Sequence, residues 1–225
     1  VLSVWAGEVA YEEAWRWQRL LAAARAEDAI DDVLLTLTHD PVYTAGRHAD
    51  RARNLLGTRP WIRVIEVDRG GDMTYHGPGQ LVAYPIIRLP QPRGVRAYVS
   101  ALEEACLRTA ASFGVRANRL PARTGVWVEG EKLAAIGVRV RRAITTHGLA
   151  LNVTTDLDGF RGIVPCGITG AGVCSLASLG VDTTVEEARR RLVAHLGDTL
   201  GRPLHPAAPA DLGLIAYRSL KSAHR

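Results

Sequence analysis

Gly125-Val-Trp-Val-Glu-Gly-Glu-Lys132-Leu-Ala-Ala-Ile-Gly-Val-Arg-Val-Arg-Arg-Ala-Ile144-Thr-Thr-His-Gly-Leu-Ala-Leu-Asn-Val153 is the stretch that decides the fold. Gly125 to Val128 reads as a strand, Glu129-Gly130 as a hairpin turn and Leu133 to Val140 as the partner strand. Arg141-Arg142 makes the next turn and Ile144 to Val153 the next strand. Strands joined by turns this tight pair antiparallel.

Working outward, Leu81 to Ile87 is a further, buried-looking strand, and Val95 to Phe113 is an amphipathic helix that places Cys106 in or near the core. Val9 to Arg25 has helical spacing. Asp32 to Thr38 and Trp61 to Val67 read as strands, while Pro41 to Asn54 and the glycine-rich Asp68 to Gln80 read as loops. Asp156 to Cys174 is mostly loop. Thr184 to Leu200 is a helix opened by a Thr-Val-Glu-Glu cap, with a short helix after Pro209. With no internal repeat or linker, residues 1–225 read as a single α+β domain, a mostly antiparallel sheet with helices packed on it.

Composition narrows the function. Hydrophobic residues make up 47% and charged residues 23%, ordinary for a globular protein. There is no apolar run long enough for a membrane span. Val1 to Ala6 lead into a charged amphipathic stretch rather than a secretory signal. Three cysteines, an odd number without a Cys-x-x-Cys pair, argue against a disulfide framework and a structural zinc site and point to the cytoplasm. The histidines show no metal-ligand spacing, so no metal is expected. The net charge is +5, and of 28 basic residues only Lys132 and Lys221 are lysines. That balance suits an acidic partner. Sparse aromatics, not interleaved with arginine, weigh against nucleic acid.

Three segments hold chemistry-bearing residues. In Arg69-Gly70-Gly71-Asp72-Met73-Thr74-Tyr75-His76-Gly77-Pro78-Gly79-Gln80, four glycines allow close backbone approach to a ligand, while Arg, Thr, Tyr, His and Gln exceed what a turn needs. It is neither a Walker loop nor a dinucleotide fingerprint. In the second segment, strand alternation puts Lys132 in phase with Ala134, Ile136, Val138 and Val140, either snorkelling outward or held in a pocket. A buried lysine can serve as a proton carrier and an arginine cannot. In the third, Cys166 lies in a loop between Pro165 and Gly167, where it is either a small loop residue or a nucleophile awaiting a base from Lys132 or a histidine. His147 alternates with Leu149, Leu151 and Val153 and reads as a packed core-edge histidine; His76 is better placed for a site.

The runs Arg69 to Gln80, Lys132-Leu-Ala-Ala-Ile-Gly137, His147 to Val153 and Pro165-Cys-Gly-Ile168, in that order, resemble the octanoyltransferases of lipoate biosynthesis, the lipoate-protein ligase B family. The resemblance spans roughly Asp40 to Leu179. It implies a fold similar to the biotin/lipoate protein ligase catalytic domain. It also implies transfer of an octanoyl group from acyl carrier protein to a lysine of lipoyl domains, those of 2-oxoacid dehydrogenase complexes and the glycine cleavage H protein. On this resemblance Cys166 forms the acyl thioester and Lys132 moves the proton. Arg69, Gly70, Gly71, Asp72, Met73, Thr74, Tyr75 and His76, with Ala135, Ile136, Gly137, Gly148, Leu149 and Ala150, line the acyl site. No cofactor is implied, because a thioester donor is already activated. Backbone N–H groups of Gly77 to Gly79 or Gly167 are candidates for holding the oxyanion. Cys174 stands where the family leads one to expect threonine. The rivals are an ATP-dependent ligase, which has no use for the cysteine, and a non-catalytic acyl binder, which needs neither Cys166 nor Lys132.

Overall fold

The run Gln80–Ile86 is buried at every position, and its residues divide by parity between two cores. Leu81 and Ala83 face one way, Val82, Tyr84 and Ile86 the other. A strand covered on both faces reads as a continuous apolar run rather than an alternating one, which is how it stands in the sequence.

The computed structural model describes residues 1–57, 59, 61–90, 94–164 and 172–213. In chain order the elements are β1 (Leu2–Glu8), α1 (Tyr11–Ala26), β2 (Val33–Thr38), β3 (Val42–Ala45), the one-turn α2 (Arg51–Asn54), β4 (Arg63–Glu66), β5 (Met73–His76) and β6 (Gln80–Ile86). They continue with α3 (Gly94–Ser112), β7 (Asn118–Leu120), β8 (Arg123–Val128), β9 (Glu131–Arg141), β10 (Ile144–Asn152), α4 (Val185–Leu200) and β11 (His205–Ala207). Eight strands form one sheet in the order β11-β1-β2-β6-β10-β9-β8-β7. The pairings of β1 with β11 and β2 are parallel and the rest antiparallel, so the expected α+β class with a mostly antiparallel sheet holds.

One face of the sheet is covered by α3 and α4, through Leu102, Ala105, Cys106, Leu192 and Leu196 against Leu81, Leu149 and Leu151. The other is covered by α1, whose buried Ala14, Trp17 and Leu21 recur at helical spacing. Thr184 caps α4 by accepting a hydrogen bond from the Glu187 amide at 3.2 Å, as the cap signal indicates. No helix of the described residues is long and apolar enough to cross a membrane.

Two stretches expected to be loops contain strands. Val42–Ala45 pairs with Met73–His76, and with β4 they form a second, three-stranded sheet over the first. Each of the pair has four residues, so neither shows more than two periods of alternation. The second meander turn sits at Arg142-Ala143, one residue later than expected, and both residues have positive φ.

Candidate active site

A cavity of about 580 Å³ lies between the large sheet and the Arg69–His76 run. Its position follows from the topology: α1 covers one end of this sheet face, and the second sheet roofs the other.

Lys132 reaches this cavity because β9 is irregular. Val126 pairs with Ala134 and Trp127 with Lys132, which leaves Leu133 as an extra residue, a β-bulge. Leu133 and Ala134 therefore both pack into the α3 core, and the strand resumes with its phase reset. Lys132 is in phase with Ala135 and Gly137 on the cavity face and not with Ala134 and Val138 as unbroken alternation indicates, while Ile136, packed towards α3, also reaches the cavity. The lysine is 5% exposed, and its Nζ lies 4.6 Å from the centroid of the buried Trp127 ring.

The backbone of Lys132 also anchors the chain that follows Cys166. The Lys132 amide donates to Gly172 O at 2.9 Å, and the Cys174 amide donates to Lys132 O at 3.1 Å. On the preceding side, the Val164 amide donates to Asn54 O at 2.8 Å, and Ile163 bridges to Leu55. Pro165, Cys166, Gly167 and Ile168 lie outside the described residues.

The Arg69–His76 run divides. Arg69, Gly71, Asp72, Thr74 and His76 line the cavity. Met73 and Tyr75, on the opposite parity of β5, turn away into a core with Tyr43, Phe160 and Ile163, which corrects the expectation that the whole run lines it. Gly70 is held on β9 by donating to Val138 O at 2.9 Å. Arg69 is 7% exposed, with its guanidinium donating to Thr44 O at 2.8 Å and to Gly70 O at 3.0 Å. Gly137 is glycine for a reason of space: a Cβ there would stand 3.0 Å from Gly70 O and 3.1 Å from Arg69 Cδ. Ala135, Ile136, Gly148, Leu149 and Ala150 line the cavity as well. The Gly77–Gly79 turn does not; the Gly79 carbonyl there accepts from the Val153 and Thr154 amides at the end of β10.

His76 and His147 line the cavity, and His39 packs against His76 with ring centroids 5.6 Å apart. His76 Nδ1 donates to Gln80 Oε1 at 2.7 Å, an orientation fixed because Gln80 Nε2 donates to Asn152 Oδ1 and Tyr75 O. His39 donates from Nδ1 to Val9 O at 2.6 Å and accepts from Tyr84 OH at 2.8 Å. His147 Nε2 donates to Asp68 Oδ1 at 2.8 Å. Burial pushes His39 down to about 4. Burial, with the charges of Arg69 and Arg139, pushes His147 down to about 3 despite the Asp68 carboxylate. Burial, with His39 and Arg69 nearby, carries His76 well below its usual value.

His147 is thus a cavity residue and not the packed core-edge histidine that alternation indicates. Its φ of 57° rotates it off the face of Leu149, and its amide is bonded by Gln18 Oε1 of α1 at 2.6 Å. Tyr11, Tyr84, His147 and the Pro121–Thr124 turn were all absent from the expected lining. Tyr11, Tyr84 and residues 121–124 carry no local signal, and with His147, which opens one of the four runs quoted above, they come from α1, β6, β10 and the start of β8 and meet only in the fold. Among the described residues no group of three or more His, Cys, Asp or Glu side chains gathers as a metal site.

The cavity sets the buried Lys132 amine beside a wall of Ala135, Ile136, Gly137, Gly148, Leu149 and Ala150, with Tyr11, Tyr84, His76, His147 and the charged Arg69 and Asp72 also lining it, which brings a proton-transfer group next to apolar surface. The family model described as the lipoyl protein ligase A/B catalytic domain matches residues 10–197. An octanoyltransferase of Acidothermus cellulolyticus is 47% identical over 211 residues, covering 91% of this chain and 92% of that protein. One of Mycobacterium leprae is 48% identical over 201 residues, covering 86% and 85%. Among solved structures, a lipoate protein ligase of T. acidophilum with bound lipoic acid superposes with a TM-score of 0.73 at 15% identity, covering 92% of this chain and 88% of that one. The biotin protein ligase of Aquifex aeolicus gives 0.54 at 11% identity, covering 89% and 69%. At such identities the last two show the fold alone.

Proposed function

The chain belongs to the octanoyltransferases, within the lipoyl protein ligase A/B catalytic-domain family, and from that premise we propose how residues 1–225 work as one acyltransferase unit. The reaction is octanoyl transfer from acyl carrier protein to a lysine amine of a lipoyl domain, by way of a thioester on Cys166. The acceptors are the lipoyl domains of 2-oxoacid dehydrogenase complexes and the glycine cleavage H protein.

Lys132 takes the Cys166 thiol proton as sulfur attacks the donor thioester. The carrier arm leaves as thiolate and receives that proton, and the acyl group stays on Cys166. The acceptor amine then attacks this second thioester, Lys132 removes its proton, an amide forms, and Cys166 leaves as thiolate and is reprotonated. Thioester and amine become amide and thiol, with no ATP. Arg69, Thr74, His76, Ala135, Ile136, Gly137, Gly148, Leu149 and Ala150 hold the chain.

The observation that carries this reading is the buried Lys132 on the cavity wall, its amide hydrogen-bonded to Gly172, six residues after Cys166. The test is intact-mass measurement after mixing with octanoyl carrier protein. The expected result is a gain of one octanoyl group, released by hydroxylamine and absent in Cys166→Ser. Lys132→Arg keeps the charge without exchanging protons, so its transfer rate should fall by at least about 100-fold. A strict ATP requirement, or turnover surviving Cys166→Ser, would overturn the reading.

A further inference from the structure

The exposed apolar side chains are not scattered evenly. Leu56 at 62% and Trp61 at 68% exposure are the two most exposed large hydrophobics among the described residues, and they stand five positions apart. The surrounding segment, residues 46–66, carries five arginines against Asp50 and Glu66, a net +3 of the chain's +5. Arg51 is paired with Glu66 and Arg63 with Glu12. Arg47 and Arg53 are exposed and have no ion pair among the described residues. Exposed aromatic and arginine side chains together are the composition of a protein interface.

This segment is fastened to the site from both sides. The Gly46, Arg47 and His48 amides donate to the carbonyls of Asp72, Arg69 and Gly71, in the run that forms the cavity rim. Asn54 Nδ2 donates to the Asp72 carboxylate at 2.7 Å. The Leu56 amide donates to Gly162 O at 2.9 Å, and Val164, two residues before Cys166, donates to Asn54 O.

On the reading given under Proposed function, we propose that the exposed arginines and tryptophan of this segment form the docking surface for the acyl donor. The partner is an acidic carrier protein that presents its thioester on a phosphodiester-linked arm. The donor brings negative charge to the mouth on both its surface and its arm, whereas the acceptor must present a lysine there, which a cluster of arginines disfavours. The other basic groove, holding Arg19, Arg139, Arg141 and Arg142, is less suited. It lies at the opposite end of β9 from Lys132, seven or more residues away, or roughly 20 Å along a strand.

The experiment is steady-state transfer by the full chain with three variants, Arg47→Glu/Arg53→Glu, Arg47→Lys/Arg53→Lys and Trp61→Ser, each with two donors. One donor is octanoyl carrier protein; the other is octanoyl-pantetheine, which has neither protein nor phosphate. Charge reversal is expected to raise KM for the carrier donor about 10-fold or more and to flatten its salt dependence. It should leave kcat, the acceptor KM and the pantetheine rate within about twofold. The lysine pair should stay near wild type, and Trp61→Ser should raise the carrier KM alone. An unchanged carrier KM overturns the proposal, as does a rise in acceptor KM instead, or an equal loss with pantetheine. If wild-type protein takes octanoyl from pantetheine but from no carrier protein, the donor assignment itself fails.

Discussion

At the scale of single residues, two of the three cysteines are held back from reaction by their surroundings. Cys106 is fully buried and Cys174 is 1% exposed, and burial, with Glu103 beside one and Glu131 beside the other, pushes both thiols up to about 12. A thiol so placed stays protonated and is a poor nucleophile, even though Cys174 adjoins Lys132 through its backbone. Iodoacetamide at pH 8 is therefore expected to alkylate the native protein once, at Cys166, and the unfolded protein three times. Preloading with octanoyl carrier protein should block the native reaction, and an early adduct mapped to Cys174 would contradict this ranking. Lys132 stood out in the sequence because lysine is rare in this chain, but its facing was misread. A single extra residue, Leu133, reverses the parity of a strand, and no composition reports a bulge. His147 was misread for a related reason: alternation assumes extended backbone, and its φ is 57°.

At the scale of elements, the meander over β8, β9 and β10, the strand β6 and the helices α1, α3 and α4 were legible, because each is long enough to show its period or carries a turn or cap signal. The four-residue β3 and β5 were not, since their strand character comes from pairing with one another. The central pairing also sets a tight constraint. A Cβ on Gly148 would stand 2.1 Å from the Ala83 carbonyl oxygen, a backbone atom of β6 that cannot move aside without parting the sheet. Gly148→Ala should cost about 2–4 kcal/mol in urea unfolding and lower transfer activity, because the cavity is lined at the same place. Thr184→Ala provides the contrast. It removes the cap of α4, away from the cavity, and should cost about 1 kcal/mol while leaving the transfer rate unchanged. A Gly148→Ala protein as stable as wild type would mean that β6 and β10 are not packed this closely.

At the scale of the whole molecule, the cavity joins parts distant in sequence, and this is why its polar floor was not legible: His76, His147, Tyr11 and Tyr84, with His39 packed behind them, meet only once both sheets and α1 are assembled. The same assembly gives the protein a directional pH response. A histidine of ordinary value near 6.5 in the unfolded chain is held at about 4 at His39 and about 3 at His147, and His76 is also lowered. Below pH 6.5 the unfolded chain takes up protons that the folded one refuses, so protons favour unfolding. The stability tied to these neutral rings is fully present above about pH 6.5 and is lost as pH falls through the folded values near 4 and 3. The melting temperature should therefore decline steadily from pH 6.5 to pH 4. His147→Asn keeps a residue that tolerates positive φ but cannot take up a proton, and it should decline less steeply over the same interval. Urea titrations of both proteins at several pH values check this. Parallel curves for the two would show that His147 is not held neutral by the fold, and a wild-type curve flat from pH 6.5 to pH 4 would remove the neutral floor altogether. Any acid sensitivity of the fold would then have to come from carboxylates rather than from these rings.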